Sequence, residues 1–216
     1  GTRHVTDEAD PLNKVEGWDW LTYKEVGEHV ERFGSGLRHL DLLKPDTDGT
    51  MKLMGLMGRN HSHWVIAEQA CLTSRGTTVP IYTTTPNDSI VHVLNQNSCA
   101  TITCDVECAR RLVGVKPSIP ALTTLIVYGY RTPKERKEHY AEIKEKGEAV
   151  ALKILAFDEV VEVGKANPSP MQMPEPKDIF SFCYTSGSSG MPKGVLTTHE
   201  AQMSTVAAVI EKLVLD

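Results

Sequence analysis

No stretch of this sequence is apolar for long enough to cross a bilayer, and none has the order of a secretory leader. Cationic excess is missing too. Against 23 Lys and Arg stand 28 Asp and Glu, which argues against a clustered basic face for nucleic acid and against a direct hold on anionic lipid. Cysteine is scarce: five residues, an odd number without framework spacing, exclude a disulfide scaffold and fit buried thiols in a reducing compartment. Cys104 and Cys108 invite a metal, but no second ligand pair follows at useful spacing. There is no internal repeat and no low-complexity tract. With 40% apolar and 24% charged residues, what remains is an ordinary globular composition, long enough for one large domain or one and part of a second.

One stretch does demand a chemical explanation. From Tyr184 to Val195, twelve residues hold three glycines (Gly187, Gly190, Gly194), five hydroxyls (Tyr184, Thr185, Ser186, Ser188, Ser189) and a single charge, Lys193. Glycines let the backbone take positive φ and come close to a ligand, so successive N–H groups can turn inward around phosphate oxygens while hydroxyls add donors. Lys193 supplies a point cation. The better-known phosphate loop needs Gly-Lys-Ser/Thr, whereas Pro192 precedes Lys193 and Gly194 follows it, so no hydroxyl stands where that motif holds magnesium. A flexible Gly/Ser tether is the bland alternative, and the flanks oppose it. Ile179, Phe180, Phe182, Cys183 and Tyr184 read as a largely buried strand; after the loop, Thr197 and Glu200 form a capping box that opens a helix with Met203, Val206, Ala207 and Ile210 on one face.

The rest of the chain alternates. Thr22 and Glu25 cap a helix carrying Val26, Val30, Phe33, Leu37 and Leu40; a buried strand at 51–58 and a helix with Trp64, Ala67 and Cys71 follow. Further strands are expected at Thr77–Tyr82, Ala100–Cys104, Thr124–Tyr128 and Lys153–Phe157. Helices are expected around Asn87–Asn97 and Glu107–Val113, and from Thr132. In the last of these, nine of the fourteen residues from Pro133 to Lys146 are charged, the mark of a solvated face and not of a binding patch. This alternation predicts an α/β fold, a mostly parallel sheet with helices on both faces. Residues 1–163 form the first α/β portion. Residues 164–178, with four prolines, read as an extended connector, and 179–216 hold the strand, the loop and the following helix.

At the loop the sequence TSGSSGMPKG resembles the phosphate loop of the adenylate-forming superfamily of acyl-CoA synthetases, peptide-synthetase adenylation domains and luciferases. Ser188 and Ser189 stand where threonines are common, which keeps both hydroxyls. Residues 63–85 (HWVIAEQACLTSRGTTVPIYTTT) and 20–26 (WLTYKEV) resemble eukaryotic-type long-chain fatty-acid–CoA ligases, and with 177–199 the likeness runs collinearly along nearly the whole chain. It is to the N-terminal part of the large domain of such enzymes. With no initiator methionine at Gly1 and a helix just completed at Asp216, a piece of a longer chain is expected.

The resemblance implies two steps: a fatty-acid carboxylate attacks the α-phosphorus of ATP, and the thiol of coenzyme A then displaces AMP from the acyl-adenylate. It implies that Thr185 helps hold Mg²⁺, that Ser186, Ser188, Ser189 and Lys193 contact phosphates, and that Gly187, Gly190 and Gly194 give shape. No catalytic residue falls within these 216 residues, since the family's acidic Mg²⁺ partner, ribose-binding aspartate, hinge and C-terminal lysine would lie beyond them. The implied partners are ATP, a long-chain fatty acid and coenzyme A, without nucleic acid, and any membrane association would lie outside this stretch. The implied setting is the cytoplasm or the cytosolic face of internal membranes such as the endoplasmic reticulum. Two other readings stay open: a half-length nucleotide- or acyl-binding regulatory module, and an adenylate-forming enzyme for another carboxylic acid. His199 is read as a helix-start histidine satisfied by backbone contacts in preference to a substrate-channel residue, and His61 and His63 are given no role.

Overall fold

The computed structural model describes residues 2–5, 15–46, 48–129, 133–185 and 190–214. Two short strands, β1 (Thr2–Val5) and β2 (Val15–Asp19), make an antiparallel ribbon. Helix α1 (Tyr23–His39) then starts at the expected capping box: Thr22 Oγ1 accepts from the Glu25 N–H at 3.2 Å and Glu25 reaches back to the Thr22 N–H at 2.7 Å. The chain continues through β3 (Lys44–Pro45), β4 (Lys52–Met57), α2 (Ser62–Leu72), β5 (Thr77–Ile81), α3 (Asn87–Asn97), β6 (Thr101–Asp105), α4 (Val106–Val115) and β7 (Thr124–Tyr128). After these come α5 (Pro133–Glu148), β8 (Lys153–Ala156), α6 (Phe157–Ala166), β9 (Ile179–Thr185), β10 (Lys193–Thr198) and α7 (His199–Val214). Thr132, expected to open α5, lies outside the described residues.

The main sheet has the order β10-β9-β5-β4-β6-β7-β8, with β3 laid antiparallel along the start of β4. The pairs from β9 through β8 are parallel, and β10 returns antiparallel on β9. The chain begins the parallel part at β4, moves to β5 on one side, then crosses back to β6 on the other, so the topological switch lies between β4 and β6. Side chains alternate across the sheet as the pleat requires. Leu53, Met57, Leu125, Val127 and Ile154 enter the core under α3, α4 and α5; Met54, Leu56, Ile126, Tyr128 and Leu155 enter the core under α1, α2 and α6.

Helix α6 is a finding that periodicity did not foresee. Its sequence, FDEVVEVGKA, is rich in β-branched residues and has no hydroxyl at the cap position; Glu159 alone bonds back to the Ala156 N–H at 3.3 Å. Tertiary packing overrides the weak propensity. Phe157 stacks on Phe33 at 4.2 Å between ring centroids. A Cβ built on Gly164 would lie 1.7 Å from the Arg32 carbonyl oxygen, and one on Gly36 would lie 2.1 Å from that of Val160, so α1 and α6 meet backbone to backbone. The extended connector therefore starts after Ala166 and not at Gly164.

Two more local differences have clear causes. The cap of α7 is Thr198, whose Oγ1 accepts from the Ala201 N–H at 3.2 Å, and not Thr197, which is held in β10 opposite Ser181. Of β9 only Ser181 is buried, because β9 and β10 lie at the end of the sheet, where α7 leaves Met203, Val209 and Ile210 exposed. At the switch, His61 caps α2, its Nδ1 accepting from the His63 N–H at 3.2 Å, and packs its ring 5.3 Å from that of Tyr128. Burial holds the His61 imidazole below its ordinary value, with Asp105 pulling weakly the other way.

Three substitutions test these contacts. Gly164→Ala should lower the urea unfolding free energy by about 1–3 kcal/mol. Gly27→Ala, in α1 with open space around the added methyl, should raise it by about 0.5–1 kcal/mol. Because the folded state favours neutral His61, its stabilising contribution is complete above the unfolded imidazole value near about 6.5 and is lost as pH falls below it. His61→Asn keeps a capping side chain and should flatten that part of the stability profile between pH values of about 7 and about 5.

Candidate functional site: the hairpin between β9 and β10

Strands β9 and β10 pair as an antiparallel hairpin, and the hydroxyl-rich segment is the sequence that joins them. Thr185 and Lys193 face each other as the last pair of the ladder, and the Thr185 hydroxyl donates to the Lys193 carbonyl at 3.4 Å. β9 runs parallel to β5, so the tip projects from the carboxyl edge of the sheet, where open α/β sheets place their ligands. Ser186, Gly187, Ser188 and Ser189 lie outside the described residues; Thr185, Gly190, Lys193 and Gly194 lie within them. Gly190 has φ of +119°, a conformation that a residue with a Cβ adopts only under strain.

Gly194 works differently. A Cβ there would meet the Phe182 ring at 2.0 Å, so the missing side chain lets β10 close over an aromatic pair, Phe182 stacked on Tyr184 with centroids 5.0 Å apart. The Tyr184 hydroxyl in turn accepts from Asn97 Nδ2 at 3.5 Å, linking the hairpin to α3. This pair stiffens the base of the loop, a role the composition did not reveal.

The hairpin is held to the sheet by side-chain hydroxyls that the sequence reading passed over. Thr77 Oγ1 donates to the Ile179 carbonyl at 2.7 Å, Thr78 Oγ1 to the Phe180 carbonyl at 3.2 Å, and Ser181 Oγ to the Thr78 carbonyl at 3.3 Å. Just before β9, Arg75 forms a two-pronged bond with Asp178, Nε to Oδ2 at 3.0 Å and Nη2 to Oδ1 at 3.2 Å. The available signal was the Thr-Thr pair opening a strand, since threonine there can bridge to a neighbouring strand as well as fill the pleat.

The electrostatics suit a polyanion. Between Asp178 and Glu200 the sequence has no carboxylate and one lysine, Lys193, which is exposed and pairs with no acid among the described residues. Thr185 offers one neutral oxygen at the same end of the hairpin. A divalent cation there would take most of its oxygen ligands from phosphate and water, a donor set that fits Mg²⁺. Among the described residues no group of three His, Cys, Asp or Glu could hold a metal. Unlike the better-known phosphate loop, this one gives onto a strand. The N-terminus of α7 is six residues further on, at the amino edge, where the His199 N–H donates to the Asp178 carbonyl at 3.0 Å. The helix dipole therefore does not reach the Thr185–Lys193 end of the hairpin, where Lys193 is the one cation among the described residues of β9 and β10.

His199 packs its ring against Phe180, with centroids 5.3 Å apart and nearly perpendicular. The expected backbone contact belongs to its N–H; Nε2 is buried without a hydrogen-bond partner among the described residues, and burial lowers the imidazole's pKa. A cleft of about 580 Å³ lined by Lys52, Arg75, Gln172, Lys177 and Leu196 opens at the amino edge, the opposite end of the sheet from the hairpin tip.

Comparison with known proteins bears on this geometry. Long-chain-fatty-acid–CoA ligase 5 of Rattus norvegicus is 31% identical over 199 residues, covering 91% of this chain and 27% of the rat protein. Long-chain-fatty-acid–CoA ligase 1 of Homo sapiens is 30% identical over 200 residues, covering 90% and 26%. The chain thus spans about a quarter of the length of these relatives. Among solved structures, the A domain of carboxylic acid reductase from Segniliparus rugosus, in complex with AMP and a co-purified carboxylic acid, superposes with a TM-score of 0.77 at 19% identity, over 92% of this chain and 32% of that one. A long-chain-fatty-acid-CoA ligase from Archaeoglobus fulgidus gives 0.62 at 19% identity, over 92% and 33%. These two establish the shared fold. The sequence profile described as AMP-binding enzyme matches residues 3–215, and the chain belongs to that family of adenylate-forming enzymes.

Proposed function

We propose that this chain is the N-terminal portion of a long-chain fatty-acid–CoA ligase, and that its hairpin grips the β- and γ-phosphates of ATP while a fatty-acid carboxylate attacks the α-phosphorus. The observation that carries the reading is that Thr185 and Lys193 close the hairpin ladder at the carboxyl edge of a parallel sheet, Lys193 pairing with no acid among the described residues, and that the sequence between them is rich in hydroxyls and glycines with no carboxylate. A carboxylate is a poor acylating agent because its leaving group would be oxide. Joining it to AMP provides a competent leaving group, which the thiol of coenzyme A then displaces to give acyl-CoA.

Bringing an anionic acid to a tetra-anionic nucleotide requires charge neutralisation before bond formation. In this reading Lys193 and the loop amides hold the departing pyrophosphate, Ser186, Ser188 and Ser189 donate to its oxygens, and Thr185 contributes to the Mg²⁺ shell. Bound Mg²⁺ supplies further neutralisation of the phosphate oxygens. Gly190 and Gly194 keep the turn open and its base closed. Since the chain spans about a quarter of its relatives, we propose that it holds phosphate groups without completing the reaction.

Calorimetry with pyrophosphate and Mg²⁺ tests the grip. Lys193→Ala should weaken binding by about ten-fold, while Lys212→Ala on α7 leaves it unchanged. Equal affinity in the wild-type chain and Lys193→Ala would remove the phosphate role of the hairpin. Incubation of the chain with ATP, Mg²⁺, palmitate and coenzyme A should give no acyl-CoA above background; steady turnover would overturn the assignment of the remaining chemistry to other segments.

A further inference from the structure

Arg38, in the last turn of α1, is a half-buried guanidinium that spends its donors on neutral oxygens. Nη1 donates to Ser74 Oγ at 2.6 Å, Nε to Ser169 Oγ at 2.9 Å, and Nη2 to the Ser169 carbonyl at 2.9 Å and to Ser35 Oγ at 3.2 Å. No carboxylate among the described residues pairs with it. Burial draws its pKa down without an opposing acid. Asp41 lines the same small cavity, of about 150 Å³, but its carboxylate is engaged by Lys44; Lys52 lines that cavity as well. With Asp41 taken up by Lys44, Arg38 and Lys52 leave the lining with an excess of positive charge.

The residue resting on this guanidinium is Ser169, exposed, flanked by Pro168 and Pro170, in the irregular segment between α6 and β9. The Ser35 hydroxyl ties the same residue down twice, donating to its carbonyl at 3.3 Å and accepting from its N–H at 3.1 Å. Three Ser/Thr-Pro pairs occur in the sequence, at Thr85, Thr132 and Ser169. Thr132 lies outside the described residues. At Thr85 it is the backbone carbonyl that Arg111 engages, at 2.6 Å, whereas at Ser169 the hydroxyl itself meets a guanidinium.

We propose that Ser169 is a phosphorylation site for a proline-directed protein kinase and that Arg38 reads the phosphate, clamping the connector to the ends of α1 and α2. The kinase transfers the γ-phosphoryl group of ATP. A bond forms between Ser169 Oγ and the γ-phosphorus, the bond from that phosphorus to the β,γ-bridging oxygen breaks, ADP leaves with the oxygen, and the hydroxyl proton passes to the kinase's base. Access comes through local opening of the connector, which has few backbone bonds of its own; Gln172 N–H to the Thr73 carbonyl at 2.8 Å is the next tie along it. On reclosing, a dianion replaces a neutral hydroxyl against the Arg38 fork, turning bonds from a cation to neutral oxygens into an ion pair with charge on both partners. The connector leads through Asp178 into β9, so a tighter clamp also fixes the segment that delivers the hairpin.

The test uses the full chain with phosphoserine installed at position 169 by codon reassignment, alongside chain treated with a MAP-kinase-class enzyme and Mg-ATP and mapped by peptide mass. The kinase should modify Ser169, and Ser169→Ala should abolish that peptide's modification. Subtilisin cleavage between residues 167 and 178 should be roughly ten-fold slower in the phosphoserine form. The gain should vanish in Arg38→Gln and be partly kept in Arg38→Lys, each compared with its own unphosphorylated counterpart so that any loss of stability cancels. No incorporation at Ser169, unchanged or faster cleavage of the phosphoserine form, or a gain that persists in Arg38→Gln would each overturn the proposal.

Discussion

The β9–β10 hairpin joins the parallel sheet through the seam between β5 and β9. Only Thr78 and Ser181 face each other there as a ladder pair, yet Thr77, Thr78 and Ser181 add side-chain hydroxyl bonds to the backbone across it. All three are buried, so each hydroxyl has to be partnered, and the partners available are the carbonyls of the neighbouring strand. The cost of leaving such a group unsatisfied fixes the register of β9 more firmly than its apolar side chains could, since a one-residue slip would turn Ser181 away from Thr78. Arg75 and Asp178 set the strand's entry point by the same logic, with charge in place of burial.

From that seam the hairpin inherits an orientation. The Thr185–Lys193 end of the ladder lies at the carboxyl edge, while α7 starts at the other end, so in the proposed phosphate grip the charge comes from one lysine with no help from a helix terminus. Such a site depends on shape. Gly194 closing over Phe182 and the stacked Phe182–Tyr184 pair pack the two strands together just before the ladder ends at Thr185 and Lys193.

Much of this was legible in the sequence. The apolar runs of β4, β6 and β7 could only be strands of a doubly covered sheet, and Thr22 with Glu25 announced α1 to the residue. The stretch rich in glycine and hydroxyls before β10 stood out by composition alone. What escaped has physical reasons. Helix α6 forms because its glycine and phenylalanine fit α1, a tertiary fact that its valines conceal locally. Thr197 and Thr198 are adjacent hydroxyls, and strand pairing claims the first, leaving the second to cap. The half-exposure of β9 depends on which elements cover it, and the hydrophobicity of Phe180 and Phe182 says nothing about that. The hydroxyl seam joins strands with three others between them in chain order, and no local pattern couples Thr78 to Ser181.

Strand β10 ends the sheet with its outer backbone groups open among the described residues, and Val195, Leu196, Val209, Ile210 and Leu213 stand uncovered on it and on α7. A bare β-margin beside an oily helix is the pattern that holdase chaperones capture and that seeds inclusion bodies. For a polypeptide of this length made by itself, recovery from a cell is therefore governed by how that margin is shielded during synthesis, however tightly the sheet behind it is sewn.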